Sequence, residues 1–271
     1  MKYDPIKKRL GKFFNTTPAL RIIFYKLLDL LLLRAWHIKK ELRKFNSTHQ
    51  SAGEILDAGA GFGQYTYRMS QLNKKWKITS VDVKAEQITD CNNFFNKIGE
   101  GSRVTFAEKD LTQYKNSGFY DLILCVDVME HIEEDVLVLT NFYESLKDKG
   151  VLLISTPSDQ GGSDVHDDDE HSFIEEHVRN GYNILEMKEK LEKAGFDAAR
   201  IHLKYSYGKS GSLSWRLSMK YPIKMLNATK LSYILLPFYY IIFFPVACIL
   251  NYFDLNTNHK KGTGLIVRAV K

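Results

Sequence analysis

Three glycines two residues apart, Gly59, Gly61 and Gly63, lie in the stretch "EILDAGAGFGQYT" at Glu54–Thr66. A short apolar run precedes them, and a helix-forming run from Gln64 to Lys74 follows. Glycine tolerates left-handed φ and lets a ligand approach bare backbone. The start of a helix adds free N–H groups and a positive dipole end. A glycine-rich handover from strand to helix restricts the chain to folds in which the carboxyl end of a strand feeds a helix, and places a ligand at that handover.

The same alternation continues downstream. Lys77–Val83 ("KITSVDV"), Arg103–Glu108, Leu122–Val126 within "YDLILCVDV", and "VLLIST" read as four more strands, with helical runs at 85–98 and 133–148. Almost wholly apolar strands are those covered on both faces. Asn183 to Ala194 reads as a helix stopped by Gly195, and "ARIHLKYSYG" and "TGLIVRAVK" as strands six and seven. The expected fold is α/β: a Rossmann-like, seven-stranded, mostly parallel sheet with helices on both faces, its last strand antiparallel, and a hydrophobic insert between strands 6 and 7. The chain divides into a basic amphipathic helical segment over 1–45 and a main domain over 46–271, with the insert at about 208–262. Ligands bind such sheets outside the carboxyl ends of the strands.

Three carboxylates fall near those ends. Asp57 precedes the glycines, Asp82 closes the second strand and Asp110 closes the third. The glycine spacing is GxGxG, not the GxGxxG of dinucleotide sites. A carboxylate at Asp82 can accept hydrogen bonds from ribose hydroxyls, and Asp110 lies where an adenine amino group is read.

Taken together, "LDAGAGFGQYT", "SVDV", "KDL" and "LILCVDVMEHI" resemble motifs I to IV of the class I S-adenosylmethionine-dependent methyltransferases, over roughly residues 50–205. The similarity is to the type 11 and ubiquinone-biosynthesis O-methyltransferase-like members. The resemblance implies a methyltransferase that uses S-adenosyl-L-methionine and transfers its methyl group by an SN2 displacement. It implies that Asp57, Gly59, Ala60, Gly61 and Gly63 form the cofactor loop. It also implies that Asp82 with Val83 holds the ribose, that Asp110 and Leu111 border the adenine, and that Val126 to Val128 line the methionine end. The charge agrees, because a sulfonium cation with a zwitterionic tail needs carboxylates and carbonyls, not a phosphate nest.

"DVMEHI" brings Asp127, Glu130 and His131 to the mouth of the expected cleft. A hydroxyl nucleophile needs a general base, and His131 suits that role. Two alternatives stand beside it. The pattern resembles the metal-holding acid-x-x-Glu-His of some quinone and RNA 2′-O-methyltransferases, with Asp127 where Glu is usual. Otherwise Glu130 and His131 cap the next helix. The acidic run at 164–177 carries seven carboxylates and three histidines and reads as a solvated loop. The resemblance puts His177, Arg179 and Tyr182 on the acceptor side. The spacing of His166 and His171 matches no standard ligand pattern, so no metal ligand is assigned, and a divalent ion stays an alternative.

Leu231 to Phe253, "LSYILLPFYYIIFFPVACILNYF", holds twenty-three residues without a charge. As one helix it would span about 35 Å, enough to cross a bilayer. If strands 6 and 7 share one sheet, however, the chain must leave and return on the same side. Pro237 and Pro245 are expected to break the run. The reading is therefore embedding in one leaflet, in plane or as a shallow hairpin, with a packed lid or dimer surface and a single span as alternatives. Ala19 to Trp36 forms a second broad apolar face, expected to pack over the cleft, lean on a bilayer, or do both.

Charge is polarised along the chain. Residues 1–45 hold twelve Lys/Arg against three acidic residues, a net +9, so the rest of this +6 chain sums to −3. An anionic membrane surface is the expected partner, and no nucleic acid, since no aromatic–basic interleaving appears. Cys91, Cys125 and Cys248 are too widely spaced for a disulfide framework or zinc cluster and fit a reducing compartment. No secretory signal is apparent. The expected protein sits on the cytoplasmic face of the membrane, peripheral or monotopic. It methylates an oxygen of a lipophilic or membrane-associated acceptor such as a quinone precursor, polyketide, lipid or lipid-linked sugar. A soluble small-molecule or glycan acceptor, or a non-catalytic cofactor-binding subunit, is the alternative.

Overall fold

The computed structural model describes residues 17–161, 178–229 and 232–271. The strands are β1 Gly53–Ala58, β2 Trp76–Asp82, β3 Val104–Glu108, β4 Tyr120–Val126, β5 Leu146–Pro157, β6 Ile201–Ser206 and β7 Gly264–Val270. They form one sheet in the order β3-β2-β1-β4-β5-β7-β6. Neighbours from β3 to β5 are parallel, and β7 is antiparallel to both β5 and β6. The strand order reverses between β1 and β4, so the crevice of the fold opens at their carboxyl ends.

The helices are α1 Pro18–Leu31, α2 Leu33–Thr48, α3 Gln64–Leu72, α4 Ala85–Lys97, α5 Asp135–Ser145, α6 Ile184–Lys193, α7 Lys209–Trp215, α8 Tyr221–Ala228 and α9 Ser232–Asn256. Alternate strand residues feed two cores, as the two-residue period of a strand requires. Leu56, Ile123 and Leu152 pack with Phe142 of α5 and Leu191 of α6. Ile55, Leu122 and Leu153 pack with Phe45 of α2 and Phe95 of α4. The N-terminal helices therefore complete one of the two layers on the sheet.

Three boundaries differ from expectation. The single N-terminal helix is two, because Leu32 is extended (φ −90°, ψ 113°). The break lets α1 cross the glycine loop while α2 turns onto the sheet. The helix expected over 133–148 stops at Ser145, because Leu146 already pairs with Tyr120 of β4. Lys149, at φ +65°, forms a bulge clamped by Lys149 N–H on the Lys271 carbonyl and Lys271 N–H on that of Gly150. Sheet pairing overrides local helix propensity there.

The third difference is the insert. The expected double break does not occur: α9 runs unbroken through Pro237 and Pro245. An internal proline costs about 3 kcal/mol, and tertiary bonds tether the helix between the two. Between the two prolines, the Tyr239 and Tyr240 hydroxyls donate to the Leu217 and Ser218 carbonyls, each at 2.9 Å. Those carbonyls lie in a π-helical turn, Arg216–Lys220, that joins α7 to α8. Among the described residues, α9 is the one helix long and apolar enough to cross a bilayer.

Candidate active site

β1 delivers the glycine loop to the crevice. Gly59, Gly61 and Gly63 all have positive φ, at +75°, +52° and +83°. The N–H groups of Gly59 and Ala60 donate to the Val81 carbonyl (2.8 and 3.0 Å), which folds the loop back over β2. A Cβ on Gly59 would overlap Val128 Cγ2 and lie 3.0 Å from Cγ1. A Cβ on Gly61 would meet nothing nearer than Gln87 Oε1 at 3.9 Å, so the backbone there is open.

Asp82 closes the same corner. Its Oδ2 accepts the Gly61 N–H (2.8 Å) and its Oδ1 the Lys84 N–H (3.1 Å). Each oxygen keeps a second lone pair for a hydroxyl donor. Val83, next in the chain, is 62% exposed, an apolar surface at the end of β2. Asp110 is exposed, its Oδ1 holding the Thr112 N–H and hydroxyl at 2.8 and 2.7 Å, while Leu111 is buried. Asp57 sits behind the loop. It is buried, accepts the Thr66 hydroxyl at 2.6 Å, and so pins α3 to β1. Burial pushes its carboxyl up to about 7, against the Thr66 bond and helped by the Asp82 charge.

This arrangement fits S-adenosyl-L-methionine. Open backbone at Gly61, a part-exposed carboxylate at Asp82 and an uncovered apolar side chain at Val83 suit a ribose and a flat base. Replacing Asp82 with Ala is expected to lower affinity for S-adenosyl-L-homocysteine about 10- to 100-fold by titration calorimetry. Hydrogen bonds to a charged acceptor contribute about 1.5–3 kcal/mol, and the Gly61 N–H loses its anchor as well. Unchanged affinity would remove Asp82 from the site.

The N-terminal helices cap the loop. Arg21 is buried, with Nη1 on Asp90 (2.6 Å), Nη2 on the Phe62 carbonyl (2.8 Å) and Nε on the Tyr25 hydroxyl (2.6 Å). The Tyr25 hydroxyl itself donates to the Phe62 carbonyl. Asp29 accepts from Gln64 (2.8 Å) and pairs with Arg68. At the crevice mouth Arg34 pairs with Asp127, donates from Nε to the Tyr65 hydroxyl (3.2 Å) and from its backbone N–H to the Tyr207 hydroxyl (2.9 Å). Asp127 and Tyr207 are left-handed, at φ +51° and +55°. Such conformations cost about 1–2 kcal/mol for a residue with a side chain and cluster at functional sites. Arg34 holds both.

The turn after β4, Met129–His131, is a single 3₁₀ turn. Glu130 is buried and accepts the Thr156 hydroxyl at 3.0 Å, while its carbonyl accepts the Val178 N–H at 3.0 Å. His131 is exposed. Arg179 pairs with Asp135 and donates to the Ile132 carbonyl at 2.8 Å. Tyr182 is fully buried, its hydroxyl 3.0 Å from the Met129 carbonyl and 2.9 Å from Asp135 Oδ2. Both residues brace this turn from behind. His177, His166 and His171 lie outside the described residues. Among the described residues no group of three His, Cys, Asp or Glu is placed to hold a metal ion.

Sequence reasoning thus reaches the loop, Asp82, Val83 and the turn at 127–131, and misses Arg21, Tyr25, Arg34, Tyr65 and Tyr207. Arg21 and Arg34 did leave a signal, as charges inside an apolar helical run. Tyr207 left none.

A family model described as "Methyltransferase domain" matches residues 49–195. A ubiquinone biosynthesis O-methyltransferase of Rickettsia prowazekii is 23% identical over 130 residues, which is 46% of this chain and 50% of that protein. The chain thus spans about half the length of the curated relatives it matches. In the backbone, it is similar to phosphoethanolamine N-methyltransferase 2 of Haemonchus contortus bound to S-adenosyl-L-methionine. That match has TM-score 0.63 at 16% identity and covers 100% of this chain and 60% of the other. A putative sarcosine dimethylglycine methyltransferase from Galdieria sulphuraria gives TM-score 0.58 at 16% identity, over 88% and 84% of the two chains.

Proposed function

The chain belongs to the methyltransferase domain family and is an S-adenosyl-L-methionine-dependent methyltransferase; on that premise we propose that it methylates an oxygen of a lipophilic acceptor at the cytoplasmic face of a membrane. A quinone precursor, polyketide, lipid or lipid-linked sugar is the acceptor class. The observation that carries this reading is the outer face of α9. Ile234, Phe238, Ile241, Ile242 and Ile249 are 57–71% exposed along it. The other side is fastened to the domain, with Ser214 Oγ on the Ala247 carbonyl (3.0 Å) and on Asn251 (2.6 Å), besides the Tyr239 and Tyr240 bonds. Soluble monomers rarely leave so large an apolar strip open, and a helix fastened along one side lies in the interface plane. Lys220, Lys224, Lys260 and Lys261 flank the apolar helix α9, and residues 1–45 add a net +9, which favours an anionic surface. The naming of the Rickettsia relatives as O-methyltransferases supports oxygen as the acceptor atom.

When bound, S-adenosyl-L-methionine supplies an electrophilic methyl group on a sulfonium sulfur, transferred to the acceptor oxygen in one in-line displacement. Asp82 and Val83 hold the ribose and adenine, with Asp110 and Leu111 at the far rim. Gly59, Ala60, Gly61 and Gly63 supply the loop backbone, Asp57 supports it, and Val126 borders the methionine end. His131, exposed beside the crevice, takes the hydroxyl proton as general base. Glu130 fixes the turn that carries it, and Asp127 holds Arg34. Arg179 and Tyr182 brace that turn and so position the acceptor side, which His177 is proposed to complete.

Methyl-labelled cofactor is expected to pass label into a lipid extract, and the protein to sediment with vesicles containing anionic lipid. A chain with Ile234, Phe238, Ile241 and Ile242 all replaced by Ser should lose sedimentation and keep S-adenosyl-L-homocysteine binding. Label confined to water-soluble products, with full activity in the fourfold variant, overturns the reading. So does a wild-type dimer that becomes monomeric in that variant, since the face then covers a second copy. In the same assay, full-rate transfer by a His131→Ala chain removes His131 from its role.

A further inference from the structure

The freedom of glycine is a difficulty as well as an asset at the cofactor loop. Three of the five residues from Gly59 to Gly63 take either hand of backbone at little cost, so local sterics do not hold the loop in one conformation. A ligand that must order a loose loop binds less tightly than one that meets a fixed loop. The bonds that fix this loop come largely from outside it. The Val81 carbonyl accepts the Gly59 and Ala60 N–H groups, and Asp82 accepts that of Gly61, so β2 holds the near side.

The far side is held from α1. The Phe62 carbonyl accepts Arg21 Nη2 at 2.8 Å and also the Tyr25 hydroxyl. The direction of that carbonyl belongs to the peptide between Phe62 and Gly63, and Gly63 is left-handed at φ +83°. Rotating the peptide would carry the oxygen away from both donors, so two bonds on one oxygen lock it. Arg21 is 2% exposed, and a buried charge is costly unless it is paired and hydrogen-bonded. Its fork answers that cost by also reaching Asp90 of α4 at 2.6 Å and Cys91 Sγ at 3.1 Å, while Nε meets the Tyr25 hydroxyl at 2.6 Å. The Cys91 thiol in turn donates to the Gly61 carbonyl at 3.7 Å. One guanidinium therefore ties α1 to α4 with the loop between them. Arg21 and Tyr25 both precede residue 49, where the match to the methyltransferase domain model begins, so this grip comes from the part of the chain outside that match.

We infer that Arg21 is a positioning residue for the cofactor: through the Phe62 carbonyl, and together with Tyr25, it presets the glycine loop that S-adenosyl-L-methionine meets. The inference rests on the placement of the cofactor against that loop. It makes α1 part of the binding apparatus, although its side chains need not touch the cofactor.

The test joins titration calorimetry with S-adenosyl-L-homocysteine to hydrogen–deuterium exchange of the loop, both on the full chain. Arg21→Met keeps a long buried side chain and removes the donors, while Asp90, with a side chain 43% exposed, stays solvated. It is expected to lower affinity at least tenfold and to speed exchange at Gly61 and Gly63 at least fivefold in the cofactor-free chain. Tyr25→Phe deletes a single oxygen and should move both readouts the same way, at least threefold each. Asp29→Asn is the control for helix packing. It discharges the pair with Arg68 but keeps an amide oxygen for Gln64, so it should lower Tm yet leave affinity within threefold and loop exchange within twofold. Unchanged affinity and exchange in both Arg21→Met and Tyr25→Phe overturn the inference. Lost affinity without faster loop exchange also overturns it, because the loop is then not what Arg21 sets. An equal loss in Asp29→Asn does the same, since α1 then acts by packing alone. Failure of the site itself reads differently: if S-adenosyl-L-homocysteine binds the wild-type chain without slowing exchange at Gly61 and Gly63, the cofactor lies elsewhere and the inference falls with its placement.

Discussion

Gly59→Ala is expected to lower affinity for S-adenosyl-L-homocysteine more than a hundredfold and to lower Tm by roughly 5–15 °C. Two costs add at this position. The residue is at φ +75°, where a side chain costs about 1–2 kcal/mol. The new Cβ also overlaps Val128 Cγ2, and forcing atoms into a filled space costs about 1–3 kcal/mol more. For a chain of this size each kcal/mol moves Tm by about 2–4 °C. The affinity loss follows from geometry. Val128 is adjacent to Asp127, so displacing it shifts the crevice wall that pairs with Arg34. Adding Val128→Ala removes both clashing methyls and should recover most of the stability. Gly61→Ala is the control. It carries the φ cost but meets no atom within 3.9 Å, so its Tm falls less and its defect lies in binding. A Gly59→Ala chain that binds within threefold of wild type would show that the loop is not the cofactor surface.

Asp254→Ala is the second large effect, about 3–5 kcal/mol of stability, the usual cost of stripping one partner from a buried charged network. Asp254 is fully buried near the end of α9. Its carboxylate meets His37 Nε2 and His259 Nε2 at 3.0 Å each, and the N–H groups of Tyr207 (3.2 Å), Gly208 (2.9 Å) and Gly211 (3.1 Å). Losing it strands four donors, since His259 Nε2 keeps the Asp254 main-chain carbonyl at 3.1 Å, and unfastens α9 from α2 and from the end of β6. Burial pushes the Asp254 carboxyl up, but the His37 bond, the two imidazoles and the Tyr207 N–H outweigh it and hold it below the usual range. Burial also lowers the pKa of His37, against the Asp254 bond. His37 Nδ1 is buried without a partner among the described residues, so a proton placed there finds no acceptor among them.

The sign for pH follows from linkage. Unfolded His37 takes its proton near 6.5, whereas the folded residue resists it, so its share of stability is complete above that pH and is lost as pH falls below it. Asp57 has the opposite sign, losing stability as pH rises from the ordinary carboxylate range through about 7. The two separate when wild type is compared with His37→Gln. The advantage of wild type in Tm should shrink between pH 7.5 and 5.5, and a constant gap would show that His37 does not titrate in this window.

The parts of the fold that were legible in sequence are those with local causes. Enrichment in β-branched residues marks β2, an almost wholly apolar run marks β4, and Asn183, whose side chain accepts the Leu185 N–H at 2.8 Å, marks the start of α6. The glycine spacing marks the loop because left-handed φ is a property of single residues. Tertiary balances were not legible. Pro237 and Pro245 predict breaks from local cost alone, and the Tyr239 and Tyr240 bonds that tether the helix between them come from residues about twenty positions away. Asp254 is one aspartate at the end of an apolar run, and nothing in its neighbours announces five donors. The acceptor-side reading of Arg179 and Tyr182 does not include their bonds to Asp135, because which way a side chain faces depends on that residue far upstream.

The position of β7 has a consequence for how the chain is made. β7 is not an added edge. It is threaded between β5 and β6 and bonded to both, with Val151 opposite Val270 and Ile201 opposite Ala269. During synthesis α9 leaves the ribosome before the strand that closes the sheet. For that interval the nascent chain shows a long apolar helix together with unpaired edges on β5 and β6, the two features that most promote aggregation. The closing contact is also distant in sequence, which slows folding. On the membrane-surface reading proposed above, the interface that takes up α9 in the finished protein would also cover it during that wait.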